Sequence, residues 1–136
     1  MNLFARLLLL SLMLVLAGCP DGTRQAKPDA ILSDYGAAIR WNEFDKAIAF
    51  IDPELREQTT LTDLERERFK QIQVTGYEMK TRATDADGNI TQTVEIRLVN
   101  RNTQLERSIL DHQTWRRDIA AKRYWLTSGL PDFSAR

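Results

Sequence analysis

Few side chains in this sequence are able to do covalent or acid–base chemistry. It has one Cys, Cys19, and one His, His112. A single thiol excludes an internal disulfide and a Cys-based zinc site. A single imidazole excludes a multi-His metal centre. No metal and no cofactor is expected. Ser33, Ser108, Ser128 and Ser134 stand in no nucleophile motif, so serine-based acyl transfer has no support. Carboxylates remain. Asp111 alternates with Ile109, Gln113 and Trp115 in a strand-like stretch, which groups it with an apolar face; the alternative is an outer, solvated face or a sheet edge. His112 has the opposite parity. In a regular strand the two side chains leave opposite faces, so a His–Asp dyad is not expected.

The position of Cys19 gives it a different chemistry. Within Met1–Cys19 the only charge is Arg6, and Leu7–Leu16 is apolar except for Ser11. A charged start, a short apolar core and a small-residue end read as an export signal. The apolar run is short for a bilayer-spanning helix, which needs roughly 20 residues. Leu16-Ala17-Gly18-Cys19 resembles the lipobox of bacterial lipoproteins. The resemblance implies a diacylglycerol thioether on Cys19, cleavage between Gly18 and Cys19, and acylation of the new amino group. Two or three acyl chains anchor a protein stably, at roughly 0.8 kcal/mol per buried methylene. The alternative is a cleaved signal followed by an incidental free Cys. With Cys19 lipidated, no nucleophilic thiol remains. Asp directly after the lipidated Cys retains such proteins at the inner membrane. Here Pro20 follows and Asp21 comes one later, which leans toward the outer membrane.

Residues 1–18 are therefore expected to be removed, and residues 19–28 to form the anchor and a polar tether. Pro20–Pro28 reaches about 30 Å fully extended, so the domain stays near the membrane on its extracytoplasmic side. Residues 29–136 make one domain's worth of chain. Formal charge is +0 over the 136 residues, which argues against nucleic acid as a partner. Basic side chains outnumber acidic ones from Arg97 to Arg123. A solvated strand face explains this; anionic headgroups or an acidic partner are the alternative. The adjacent Arg116-Arg117 reads as part of a solvated turn.

Asp29 reads as the cap of a helix running to Trp41, with Ile31, Leu32, Tyr35, Ala38 and Ile39 on its apolar side. Asn42 reads as the cap of a second helix whose inner face is Phe44, Ala47, Ile48 and Ile51, and Pro53 as its end. Thr62-x-x-Glu65 fits a capping box for a third, with Leu61, Leu64 and Phe69 facing inward. From Gln71 the period becomes strand-like. Ile72 and Val74 share one parity, Tyr77 and Met79 the other, and Gly76 marks a bulge between them. Asp85–Asn89 reads as a hairpin turn. Val94, Ile96 and Leu98 face one side of a second strand, and Leu105, Ile109, Asp111, Gln113 and Trp115 one side of a third. Arg123–Ser128 is the last strand. Helices followed by an antiparallel meander of about four strands make an α+β fold.

The stretch Tyr35–Ala47, with Gln113-x-Trp115 and Tyr124-Trp125-Leu126 later in the chain, resembles nuclear transport factor 2-like domains, the ketosteroid-isomerase and SnoaL-like cone. The resemblance covers Pro28 to Phe133. It implies a curved sheet wrapped around helices, with a hollow that is either open or filled, and it implies no particular activity. Enzymes of this shape place an Asp, or an Asp with Tyr or His, in the hollow for proton transfer. On this chain the implied pocket lining is Tyr35, Trp41, Tyr77, Asp111, Gln113 and Trp115, with Trp41 near the mouth. The expected role is non-catalytic: a membrane-held domain that binds a protein or another envelope component, with no catalytic residue assigned. The alternative is a pocket for a small hydrophobic ligand, with or without isomerase- or dehydratase-type proton transfer.

Overall fold

The computed structural model describes residues 27–134. The expected leader and cleavage site, Cys19 and most of the expected tether lie outside the described residues. The fold is α+β: four helices precede a four-stranded antiparallel sheet that does not close into a barrel. The helices are α1 (Pro28–Arg40), α2 (Phe44–Ile48), α3 (Pro53–Arg56) and α4 (Asp63–Lys70). The strands are β1 (Ile72–Thr84), β2 (Ile90–Asn100), β3 (Glu106–Asp118) and β4 (Arg123–Leu126), in spatial order β1-β2-β3-β4.

Helix α1 starts one residue before the expected cap. Lys27 is the N-cap, Pro28 holds the first turn, and Asp29 sits inside that turn, where its charge suits the helix N-terminus. Leu32, Tyr35, Ala38 and Ile39 are buried against the sheet. Asn42 does not cap α2. It takes a left-handed φ of 59°, and its side-chain amide acts as a strand residue would. Its Nδ2 donates to the Ile72 carbonyl at 2.8 Å, and its Oδ1 accepts from Val74 N–H at 3.1 Å. Arg40 donates to the Val74 carbonyl at 2.7 Å. These contacts satisfy the outer backbone groups at the start of edge strand β1, which limits unwanted strand pairing there.

The second helix is also shorter than expected, and Pro53 begins a helix instead of ending one. Asp52 caps α3 by accepting from Glu54 N–H at 3.1 Å. Proline suits the first helical turn because its missing N–H would have no partner there. The chain just before it lines the sheet's other edge: Leu126 N–H donates to the Phe50 carbonyl at 2.8 Å, and Asp52 N–H to the Leu126 carbonyl at 2.9 Å. The capping box of α4 forms as expected, with Glu65 N–H on Thr62 Oγ1 at 3.3 Å and Thr62 N–H on Glu65 Oε2 at 2.8 Å. Leu64 does not face inward; it is 61% exposed. Phe69 is the residue of α4 that docks, with its ring 4.6 Å from Phe44 and 5.5 Å from Phe133.

β1 carries the bulge expected at Gly76 and a second one at Lys80. Each shifts the phase by one residue. Ile72, Val74 and Tyr77 thereby stay on the face under α1, and so does Arg82, which pairs in register with Gln92. On β3 the face under α1 carries Ile109, Asp111, Gln113 and Trp115, all buried. Leu105 is not part of it. It lies before the strand, 70% exposed. His112 is exposed on the opposite face, where its Nδ1 is 3.0 Å from Thr93 Oγ1. Arg116 lies within β3, not in a turn, and pairs with Asp52 at 2.5 Å. β4 stops at Leu126, two residues short of the expected end.

Candidate functional site

Strand alternation brings Asp111, Gln113 and Trp115 to one face of β3, and register sets Gln92 of β2 beside Gln113. The two β1 bulges deliver Tyr77 and Arg82 to the same face. Helix α1 lays Tyr35 across them, edge-on to Trp115, with ring centroids 5.2 Å apart. Five of the six expected lining residues therefore converge. Trp41 does not join them. It closes α1 at its C-terminal end, 73% exposed, with the Arg40 guanidinium 5.8 Å from its ring.

Gln113 is the hub. Its Oε1 accepts from Gln92 Nε2 at 2.6 Å and from Trp115 Nε1 at 3.2 Å. Its Nε2 donates to Tyr77 Oη at 2.9 Å and to Asp111 Oδ2 at 2.7 Å. The amide has one workable orientation, since a flip would set its NH₂ against two other N–H donors. The chain of bonds runs on to the surface. Arg82 Nε donates to Gln92 Oε1 at 3.1 Å, and Arg82 pairs with Asp29 of α1 at 2.6 Å. Gln92 and Arg82 were not expected here. Gln92 was findable, because it shares parity with Val94, Ile96 and Leu98. Arg82 depends on the second bulge, which no glycine marks.

Burial raises the Asp111 carboxyl above its ordinary range, opposed by the hydrogen bond from Gln113. Burial also pushes Tyr77 up to about 12, again opposed by Gln113. Tyr35 is raised well above its ordinary value by burial first, then by the negative charges of Asp111 and of Tyr77. A carboxyl that holds its proton more tightly than usual, beside two phenols, is suited to general acid–base work. In this arrangement Asp111 and Tyr77 are instead engaged with Gln113. Tyr35 Oη is the exception, buried and without a hydrogen-bond partner.

The raised Asp111 has a consequence for stability. Its folded-state value lies above the unfolded one, so its ionised form weakens the fold as pH rises. The penalty is absent below the unfolded carboxyl value and complete above the folded one. Asp111→Asn, which keeps an acceptor for Gln113, is expected to stabilise the domain by ~1 kcal/mol at neutral pH. The gain should vanish in acid, and melting curves of both proteins across that range check it.

Two cavities lie elsewhere, on either side of Phe69. One, of about 640 Å³, is lined by Asn42, Phe44, Asp45, Leu61, Phe69 and Ile72 among others. The second, of about 560 Å³, runs between α4 and the C-terminal segment, past Leu61, Phe69, Leu130, Pro131 and Phe133. A third, of about 260 Å³, reaches the polar cluster only at Arg82, Gln92 and Gln113. Asp111, Tyr35, Tyr77 and Trp115 line none of the three. Among the described residues, no group of three or more His, Cys, Asp and Glu is placed to hold a metal ion. None of their helices is long and apolar enough to cross a membrane. No protein-family model, no curated protein and no solved structure matches the chain.

Proposed function

We propose that the chain is a bacterial lipoprotein, anchored through Cys19 on the extracytoplasmic face of a membrane, whose domain binds an envelope protein without catalysis. The Leu16-Ala17-Gly18-Cys19 motif supports the anchor. One observation carries the choice of binding over catalysis: the acid–base candidates Asp111 and Tyr77 are tied to Gln113, away from the cavities beside Phe69. Those cavities form an apolar groove with a charged rim, of the size and lining that recognition sites use. Pro20 after Cys19 favours the outer membrane. The cone-shaped family named above fits this reading, since it hosts binders as well as enzymes.

Photocrosslinking tests the binding site. A crosslinker replacing Leu61, which lines both cavities, is expected to capture one protein partner in intact cells. The same crosslinker at Met79, away from the groove, should not capture it. Equal capture at both positions, or none at position 61, would contradict the groove as the site.

A second reading rests on Tyr35 Oη. A buried hydroxyl without a partner costs about 1–3 kcal/mol, and a polar group of a small ligand would relieve it. Under that reading the cluster is a pocket for a small hydrophobic molecule, with Asp111 as its acid–base group.

A further inference from the structure

The tether enters at one end of the sheet. Asp29, in the first turn of α1, meets Arg82, on the rung Arg82–Gln92–Gln113. A few residues further along β3 lies the β3–β4 turn, Ile119–Lys122. Ile119 there is 71% exposed. Next to it, on the outer face of β4, Arg123 lies 3.7 Å over the Trp125 ring, with Arg56 5.8 Å from the same ring. Lys122 and Arg123 make no ion pair among the described residues, whereas Arg56 donates to the Ala49 and Ile51 carbonyls at 3.0 and 2.9 Å. The carboxylates nearby are already engaged. Asp52 holds Arg116, and Asp118 accepts from Ala121 N–H and Trp125 Nε1. The two guanidiniums repel each other; burial and then Arg56 lower the Arg123 value, opposed by the charge of Asp118. At the α4 end of the sheet the balance differs: Lys46, Arg66 and Lys70 are paired with Glu43, Asp45 and Glu67.

We propose that the end of the sheet at the β3–β4 turn is the face that lies on the membrane, with Ile119 entering the interface and Lys122 and Arg123 facing anionic headgroup phosphates. This rests on anchoring through Cys19. The tether supplies the proximity, since Pro20–Pro28 spans no more than about 30 Å and leaves the chain at this end of the sheet. An exposed apolar side chain ringed by cations suits an anionic interface. Docking this way points the groove beside Phe69 outward. It lies at the opposite end of strands some ten residues long, about 30 Å from the membrane.

The test uses the lipid-anchored chain with Trp41→Phe, so that Trp125 is the most accessible indole left. It is reconstituted into phosphatidylcholine vesicles, with or without phosphatidylglycerol, carrying headgroup-nitroxide lipid. Trp125 emission is expected to be quenched in anionic vesicles and spared in neutral ones, and molar salt should relieve the quenching. Each cation near an anionic surface contributes about 1 kcal/mol, so Lys122→Gln with Arg123→Gln should lower the docked-to-free ratio about 25-fold. Arg123→Lys should preserve it. Melting temperature checks that the variants fold, and the salt titration of the unsubstituted turn stands without them. Equal quenching in both vesicle types, or none while the protein still floats with the vesicles, overturns the proposal. So does an equal shift of Trp125 emission by inorganic phosphate alone, which would mark a soluble-anion site. Failure to float would remove the anchoring reading itself, and this proposal with it.

Discussion

Gln113→Leu is expected to be the most damaging single substitution at the centre of the fold. Leucine nearly matches the volume, so no large cavity opens. Four hydrogen bonds disappear, to Gln92, Trp115, Tyr77 and Asp111. Trp115 is fully buried and Gln92 nearly so, and both donors lose their acceptor. An unsatisfied buried polar group costs about 1–3 kcal/mol. Relaxation and shared partners keep the sum below a simple total, so ~3–4 kcal/mol is expected. That is a large share of the roughly 5–15 kcal/mol that holds a domain together. The melting temperature should fall by ~15 °C, read by circular dichroism. Gln113→Glu makes a sharper comparison. It keeps both acceptor contacts but sets a second carboxylate against Asp111, so it should be less stable at neutral pH than in acid. A Gln113→Leu protein that melts within a degree or two of the parent would mean the cluster contributes little.

Cys19→Ser is expected to have the largest effect on location. A serine hydroxyl cannot form the thioether that the proposed anchor requires. The variant should appear either as an unprocessed precursor or as a soluble extracytoplasmic protein. On the proposed anchor, acyl chains at roughly 0.8 kcal/mol per buried methylene would dominate the membrane affinity. The cations proposed to face headgroups would add only about 1 kcal/mol per charge and could not replace them. Fractionation with immunoblotting reads the result. A cleaved Cys19→Ser protein that still sediments with membranes would contradict the lipid anchor.

Features set by neighbours along the chain were legible in the sequence. The Thr62–Glu65 capping box needs only its own turn, and it forms. Gly76 marked its bulge, and the alternation from Ile109 to Trp115 grouped Asp111 and Gln113 with Trp115 on one face and His112 on the other. What was hidden depends on distant partners. Asn42 was read as a cap because Asn caps helices, yet its amide pairs with Ile72 and Val74, thirty or more positions away. Pro53 satisfies the rule for a helix end and the rule for a helix start equally. The strand-edge pairing of Phe50 and Asp52 with Leu126 decides between them. Leu64, Leu105 and Trp41 are apolar, but hydropathy does not say which apolar residues the finished fold leaves uncovered. The Lys80 bulge has no glycine to announce it, so the inward turn of Arg82 was invisible, and with it the route from Asp29 to the Gln113 hub.

The most direct test of the central claim is the intact mass of the protein extracted from membranes. Anchoring through Cys19 predicts a chain that starts at Cys19 and carries a diacylglycerol thioether, with or without a further acyl group on its amine. A chain that retains residues 1–18, or one that starts elsewhere and carries no lipid, would contradict it.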